Sequence, residues 1–287
     1  MNLPARPRDG GSRGSAALLV AAVGCAVVLA LTGWSRLAGT PESPARGPVG
    51  SGTAPSSFAL LQMNLCLSGL AGCYDADAYP AAVQDAVARV RETHPDAVTL
   101  NEACRRDAVR IARRAGYHLR FSRVIYGGER LRCIDPPGRG LFGDAVLTKA
   151  PIVASEDLGF AAQAGLEQRR WLCVTTRPDL DVCTAHLGTR RTGTAATAND
   201  AQCAELAALL ARRATARTVA FGGDVNRLGS CAPDGFWTRS DASADQQAGV
   251  QHVYGTGGAL RAPSAEVLPT RHSDHDALLV HARLAQH

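Results

Sequence analysis

"RHSDHDALLV", residues 271–280, places two histidines and two aspartates in its first six positions and then runs into an apolar strand. A solvated charge cluster near a chain end is the simplest reading. The rest of the chain argues against it, because polar groups recur where strands end. Asn64 closes FALLQMNL (58–65), Glu102 closes DAVTLNE (96–102), His186 closes DVCTAHL (181–187), and Asp224 and Asn226 close TVAFGGDVN (218–226). Being two apart, Asp224 and Asn226 share one face of a strand end. Taken singly, each has a structural explanation. Asn64 reads as a cap, Glu102 as a partner of Arg105 or Arg106, His186 as a core histidine, and Asp224 with Asn226 as turn residues after a glycine pair. Taken together, they describe strand ends where polar groups converge. Metal-assisted hydrolysis needs such a place: a hard cation takes carboxylate oxygens and water, and a phosphoester needs acid–base groups beside positive charge.

The intervening pattern alternates strands with few helices. Val83, Val87 and Val90 recur at helical spacing after Asp77, read as an N-cap, and residues 105–115 form a second helix ending at Gly116. YHLRFSRVIY (117–126), GDAVLTKAPIV (143–153) and RRWLCVTT (169–176) read as strands, as do VQHVYG (250–255) and ALLVHARL (277–284). A helix over roughly 199–213 puts Cys203, Leu206, Leu209 and Leu210 on one face. Long β stretches with hairpins favour two packed sheets with helices outside over a doubly wound parallel sheet. Neither a second linker nor an internal repeat interrupts residues 58–285, which read as one domain.

The N-terminus reads as targeting. A basic tail (1–14) carries Arg6, Arg8 and Arg13, and an uncharged apolar segment (15–34) follows. At ~1.5 Å per residue the segment spans a hydrocarbon core of roughly 30 Å. It fits a cleaved signal or a retained single-helix anchor, and both export the body. Residues 35–57 are a Gly/Pro/Ser-rich linker. The formal charge of +5 owes much to the first 51 residues; beyond them stand 26 basic and 24 acidic residues. A near-neutral body does not read as a DNA-coating protein, although a local arginine patch could bind phosphates.

Cys25 lies in the apolar segment and eight cysteines lie in the body, an even number that suits an oxidising compartment. Two β-rich runs flank RPDLD (177–181) and set Cys173 and Cys183 equidistant from Pro178, so that they face each other on paired strands within disulfide reach. Eight cysteines allow 105 pairings. The expected set is completed, without a geometric argument, by Cys66–Cys73, Cys104–Cys133 and Cys203–Cys231.

QMNLC, VTLNEAC, GDAVLTKAPI, CTAHLGT, FGGDVN and RHSDHDALLV occur in the order and rough spacing of the endonuclease/exonuclease/phosphatase superfamily, which the chain resembles from about 58 to 284. That group includes pancreatic-type deoxyribonucleases, abasic-site endonucleases, neutral sphingomyelinases and inositol-polyphosphate phosphatases. The resemblance implies an α+β four-layer αββα sandwich, two mixed β-sheets face to face with helices outside. It also implies a phosphoesterase using Mg²⁺ or Mn²⁺. On matching positions, Glu102 is the principal metal ligand, with Asn64 beside it in the metal and phosphate shell and Asp274 a second carboxylate. His186 contacts the scissile phosphate or serves as acid. Asp224 orients or deprotonates water, Asn226 holds phosphoryl oxygens, and His275 is the general base or a charged stabiliser.

One position departs from the family. An aspartate is expected where VQHVY (250–254) has Gln251, to orient the closing histidine. Glutamine accepts a hydrogen bond but brings no charge to raise an imidazole's pKa. His94, His252, His272, His281, Asp144 and Asp276 read as bystanders. Arg169 and Arg170 could touch an anionic substrate or begin a solvated strand. The expected protein is an exported monomeric phosphodiesterase acting on nucleic acid. The alternatives are a sphingomyelinase-type enzyme acting on phospholipid head groups, and a weakened member that binds a phosphorylated ligand or a cell-surface partner. A retained N-terminal segment would add contact with the membrane.

Overall fold

A computed structural model describes residues 57–73, 79–177 and 179–285. The basic tail, the apolar segment, nearly all of the linker, Asp77 and Pro178 lie outside the described residues. In chain order the elements are β1 (Ser57–Asn64), α1 (Ala81–Thr93), β2 (Ala97–Cys104), α2 (Arg105–Ala115), β3 (His118–Arg123), β4 (Ile125–Tyr126) and β5 (Glu129–Arg130). They continue with β6 (Phe142–Thr148), β7 (Ile152–Gly159), β8 (Glu167–Gln168), β9 (Arg170–Thr176), β10 (Leu180–Ala185), α3 (Gly193–Ala214) and β11 (Thr218–Asp224). The last are β12 (Phe236–Ser240), β13 (Gln251–Thr256), β14 (Leu260–Leu268) and β15 (Ala277–Leu284).

Two six-stranded sheets have the orders β14-β15-β1-β2-β6-β3 and β12-β13-β11-β10-β9-β7. Each contains one parallel pair, β1/β2 or β10/β11, among antiparallel neighbours. A parallel pair needs a crossover, and here the crossovers carry α1 and α3. Three apolar clusters mark three interfaces. Val83, Val87, Val90 and Ile111 pack with Leu61, Met63 and Leu100 outside the first sheet. Leu206, Leu209 and Leu210 pack with Phe221 and Tyr254 outside the second. Leu60, Val146, Val174, Val182, Val253 and Val280 fill the space between. The expected sandwich is the fold.

The period-2 pattern assigns β1's faces: Leu61 and Met63 go outward to the helices, Leu60 and Gln62 inward to the other sheet. Gly116 ends α2 with φ 81°, its N–H on Ala112 O, a conformation glycine adopts without a Cβ penalty. At Gly222 a Cβ would lie 2.3 Å from Thr99 Oγ1, and at Gly223 it would lie 2.3 Å from Ala185 O. The glycine pair before Asp224 therefore lets β11 approach its neighbours closely, and is not a turn.

Several boundaries differ from the sequence reading; YHLRFSRVIY, read as one strand, is β3 in the first sheet and β4 in a small separate sheet of order β5-β4-β8. GDAVLTKAPIV is two strands in different sheets, β6 in the first and β7 in the second, with Lys149–Pro151 crossing between them. α3 begins at Gly193, where Thr192 Oγ1 accepts from Ala195 N, because the alanine-rich turns before residue 199 are good helix formers without a leucine stripe. β14 contains Pro263, which argues against a strand interior but suits an edge strand, and a bulge falls between Arg261 and Ser264. All four expected disulfides are present, and Cys173 pairs opposite Cys183 in the β9/β10 register.

Candidate active site

The C-terminal ends of β1, β2, β10 and β11 lie at one edge, and the start of β15 arrives there with residues 273–275. Glu102 reaches the site through a local irregularity. The β2/β6 register shifts between Leu100 and Ala103, and Glu102 takes φ 54°. A bulge of this kind re-aims one side chain without ending the strand. Asn226 has φ 51°, which asparagine tolerates better than most residues.

Asp224 is the hub. Its backbone N–H donates to Asn101 Oδ1 at 2.8 Å, and its Oδ1 accepts from Asn226 N at 2.9 Å. Its Oδ2 accepts from Asn64 Nδ2 at 3.0 Å and lies 3.6 Å from His186 Nε2 and 3.5 Å from His275 Nε2. Asn64 Nδ2 also donates to Glu102 Oε1 at 3.2 Å, while its own Oδ1 is taken by Cys66 N. Asn64 thus meets both carboxylates through its amide nitrogen. His186 Nε2 stands 3.8 Å from Glu102 Oε1, and Asp274 Oδ1 stands 3.8 Å from His275 Nε2. Asn226 Nδ2 is tied to Leu187 O. Ser273 Oγ donates to Asn64 O and receives His275 N, anchoring the closing motif to β1. Every proposed site residue except Gln251 therefore falls in or against one open cleft of about 660 Å³.

Gln251 is buried behind the cleft. Its Oε1 accepts from Gln62, and its Nε2 donates to Asp241 Oδ2 at 3.1 Å and to Asp276 O at 2.5 Å. His275 Nδ1 has no hydrogen-bond partner among the described residues. Asp276 is buried and holds two loops, accepting from Thr270 N and Asp245 N.

Burial sets the charge states. Desolvation pushes the Glu102 carboxyl up to about 7 against the opposing help of Asn64 and Arg169. Desolvation likewise lifts Asp144 to about 7, although Asn101 donates to it. His186 is held well below the usual imidazole range, first by burial and then by the charges of Arg169 and His275. Arg169 lines the cleft, paired with Glu167 at 3.2 Å, whereas Arg170 pairs with Asp157. Arg190, held by Asp200, and Arg191 complete a positive rim. Neither was apparent from local pattern, nor was the buried Gln62–Asn101–Asp144 network. A hint existed only in Asn101 standing beside Glu102.

The donor set suits a hard cation. Asp274 Oδ1 is buried without a hydrogen-bond donor among the described residues, and Glu102 is a desolvated carboxylate nearby in the same cleft. Cys66 and Cys73 also lie close to Glu102, but they are bonded to each other and offer no thiolate.

Solved structures with this fold include an endonuclease/exonuclease/phosphatase from Beutenbergia cavernae DSM 12333, with TM-score 0.62 and 18% identity, covering 80% of this chain and 72% of that one. The catalytic domain of human Nocturnin with a bound sulfate anion gives TM-score 0.62 and 14% identity, covering 80% and 95%. D. rerio TDP2 complexed with a single-strand DNA product gives 0.53 and 14%, covering 79% and 99%. At these identities the likeness is one of fold. No curated protein matches the sequence. The model of the Endonuclease/Exonuclease/phosphatase family matches residues 68–275, well over half the chain. With that match and the sandwich behind it, this chain belongs to the endonuclease/exonuclease/phosphatase family.

Proposed function

We propose that this chain is an exported, divalent-metal-dependent phosphodiesterase acting on nucleic acid. The observation that carries the reading is the meeting of Asn64, Glu102, His186, Asp224, Asp274 and His275 at one strand-end edge, in a cleft rimmed by Arg169, Arg190 and Arg191. Glu102 and Asp274 would hold Mg²⁺ or Mn²⁺, with Asn64 orienting the Glu102 carboxylate. The bound cation supplies Lewis-acid stabilisation of charge on the phosphoryl oxygens. Asp224 Oδ2 faces both imidazoles and is placed to orient or deprotonate water. His186, kept neutral, is suited to donate an N–H to a phosphoryl oxygen, and His275 to take up or return a proton. Asn226 and Arg169 add donors to the phosphate. The site is complete within one chain, in keeping with a monomer.

Four disulfides support an oxidising compartment, reached as a secreted protein or through a retained anchor. Among the described residues no helix is long and apolar enough to cross a membrane, and the apolar segment 15–34 lies outside them. The test is a substrate panel of plasmid DNA, RNA, sphingomyelin and a chromogenic bis-phosphodiester, each with Mg²⁺ and with EDTA. Metal-dependent cleavage of nucleic acid is expected. Turnover of sphingomyelin alone would establish the lipid reading, and no turnover at all would point to a binding protein.

A further inference from the structure

Beside the catalytic cleft lies a second recess of about 590 Å³, lined by Arg105, Arg106, Arg123, Arg130 and Arg132 and by one carboxylate, Glu129. All five arginines are exposed, and none has an ion pair or side-chain hydrogen bond among the described residues. Some arginines elsewhere are answered by a carboxylate, among them Arg139 by Asp107, Arg170 by Asp157, Arg213 by Asp181 and Glu156, and Arg217 by Asp179. Five unpaired guanidinium groups brought together from α2, β3, β5 and the loop after it repel one another unless an anion sits between them. A body of near-neutral charge gains nothing in solubility from concentrating them so.

The recess and the catalytic cleft have no lining residue in common, but two short stretches of structure link them. Arg105 stands three residues beyond Glu102 on the same chain segment. On the other side, β4 lies between β5 and β8 in a small three-stranded sheet, and Arg169 follows β8 directly. Two strand spacings put β5 about 10 Å from β8, a reach suited to neighbouring phosphates of one strand. On β4, between β5 and β8, Tyr126 is 46% exposed and offers a π-face on which a base can stack.

We propose that this arginine recess binds the phosphates of a single-stranded nucleic acid leading away from the scissile bond. Guanidinium groups match phosphate oxygens in a planar fork, which suits a chain of separate phosphates. A bilayer presents a broad plane that meets protruding side chains, whereas these arginines line a recess. The inference rests on the phosphodiesterase reading for its direction along the substrate, but binding is measured without turnover.

The experiment uses the full chain and a fluorescein-labelled oligothymidylate, followed by fluorescence anisotropy in EDTA across a salt series. The R130Q/R132Q variant is expected to bind about tenfold more weakly at low salt, with the slope of log K against log salt reduced by about 1.4. Equal affinity and slope for wild type and variant would overturn the proposal. So would wild-type chain that binds phosphatidylserine vesicles but not oligothymidylate, or that binds neither. Hydrolysis of the chromogenic bis-phosphodiester by wild type in Mg²⁺ reports separately on the phosphodiesterase reading, so the two failures are distinguishable.

Discussion

Gln251 donates its Nε2 to Asp241 Oδ2 and its backbone N–H to Asp241 Oδ1, at 3.1 and 3.0 Å, so a buried carboxylate lies one strand away from the position where the family has its own. The glutamine carries this contact onward: its Oε1 receives Gln62, whose Nε2 also reaches Asn101 Oδ1, the acceptor of the Asp224 N–H. A continuous buried chain of hydrogen bonds therefore joins Asp241 to the hub of the site.

Restoring the family residue is expected to do harm. In the Gln251→Asp variant two buried carboxylates would face each other, and the side-chain donor to Asp241 would be lost while the backbone donor remains. A loss of stability on the order of 3 kcal/mol is expected, read by urea unfolding, together with slower turnover. A rate gain would instead mark Gln251 as a degraded catalytic position.

Asp144 makes a pH prediction of definite sign. Its folded carboxyl keeps a proton up to about 7, whereas an unfolded aspartate loses it near pH 4. Between those values the folded state binds more protons, so this group's contribution to stability falls as pH rises through that window. Asp144→Asn retains an acceptor for Asn101 and removes the ionisation. The variant should match wild type near pH 4 and exceed it by a few kcal/mol above pH 7, measured by denaturation at both pH values. Parallel pH profiles would refute this.

Glu102→Gln should lower metal-dependent turnover at least about 100-fold while leaving the circular dichroism spectrum unchanged. Calorimetric titration with Mg²⁺ should lose its heat of binding in parallel. Mg²⁺ should also raise the thermal midpoint of wild type and not that of the variant. Undiminished Mg²⁺ binding by the variant would move the metal elsewhere.

The Cys66–Cys73 bridge closes a loop whose first residue holds Asn64 Oδ1 and whose last lines the cleft. Replacing both cysteines with serine is expected to raise the Mg²⁺ concentration needed for half-maximal turnover, since Asn64 would lose its orientation toward Glu102. Breaking Cys173–Cys183, which staples β9 to β10 in the core, should lower stability and leave that metal dependence alone. Identical Mg²⁺ curves for the Cys66/Cys73 variant and wild type would detach the loop from the site.

Much here was local and so legible in the chain. The stop at Gly116 needs only a residue free to adopt positive φ. The opposition of Cys173 and Cys183 follows from their equal distance from a turn. The alternation of β1 follows from the pleat, and the recurrence of polar residues at strand ends marked the edge where the site lies. What only the tertiary structure decided concerns partners brought from far along the chain. Where Arg169 lies relative to the cleft, which carboxylate answers Gln251, and why Asp144 holds its proton depend on what the facing strands place opposite. The crossing of Lys149–Pro151 from one sheet to the other and the gathering of five arginines into one recess have the same origin. Backbone preference and side-chain period act over a few residues, whereas burial and charge pairing are properties of the packed sheets.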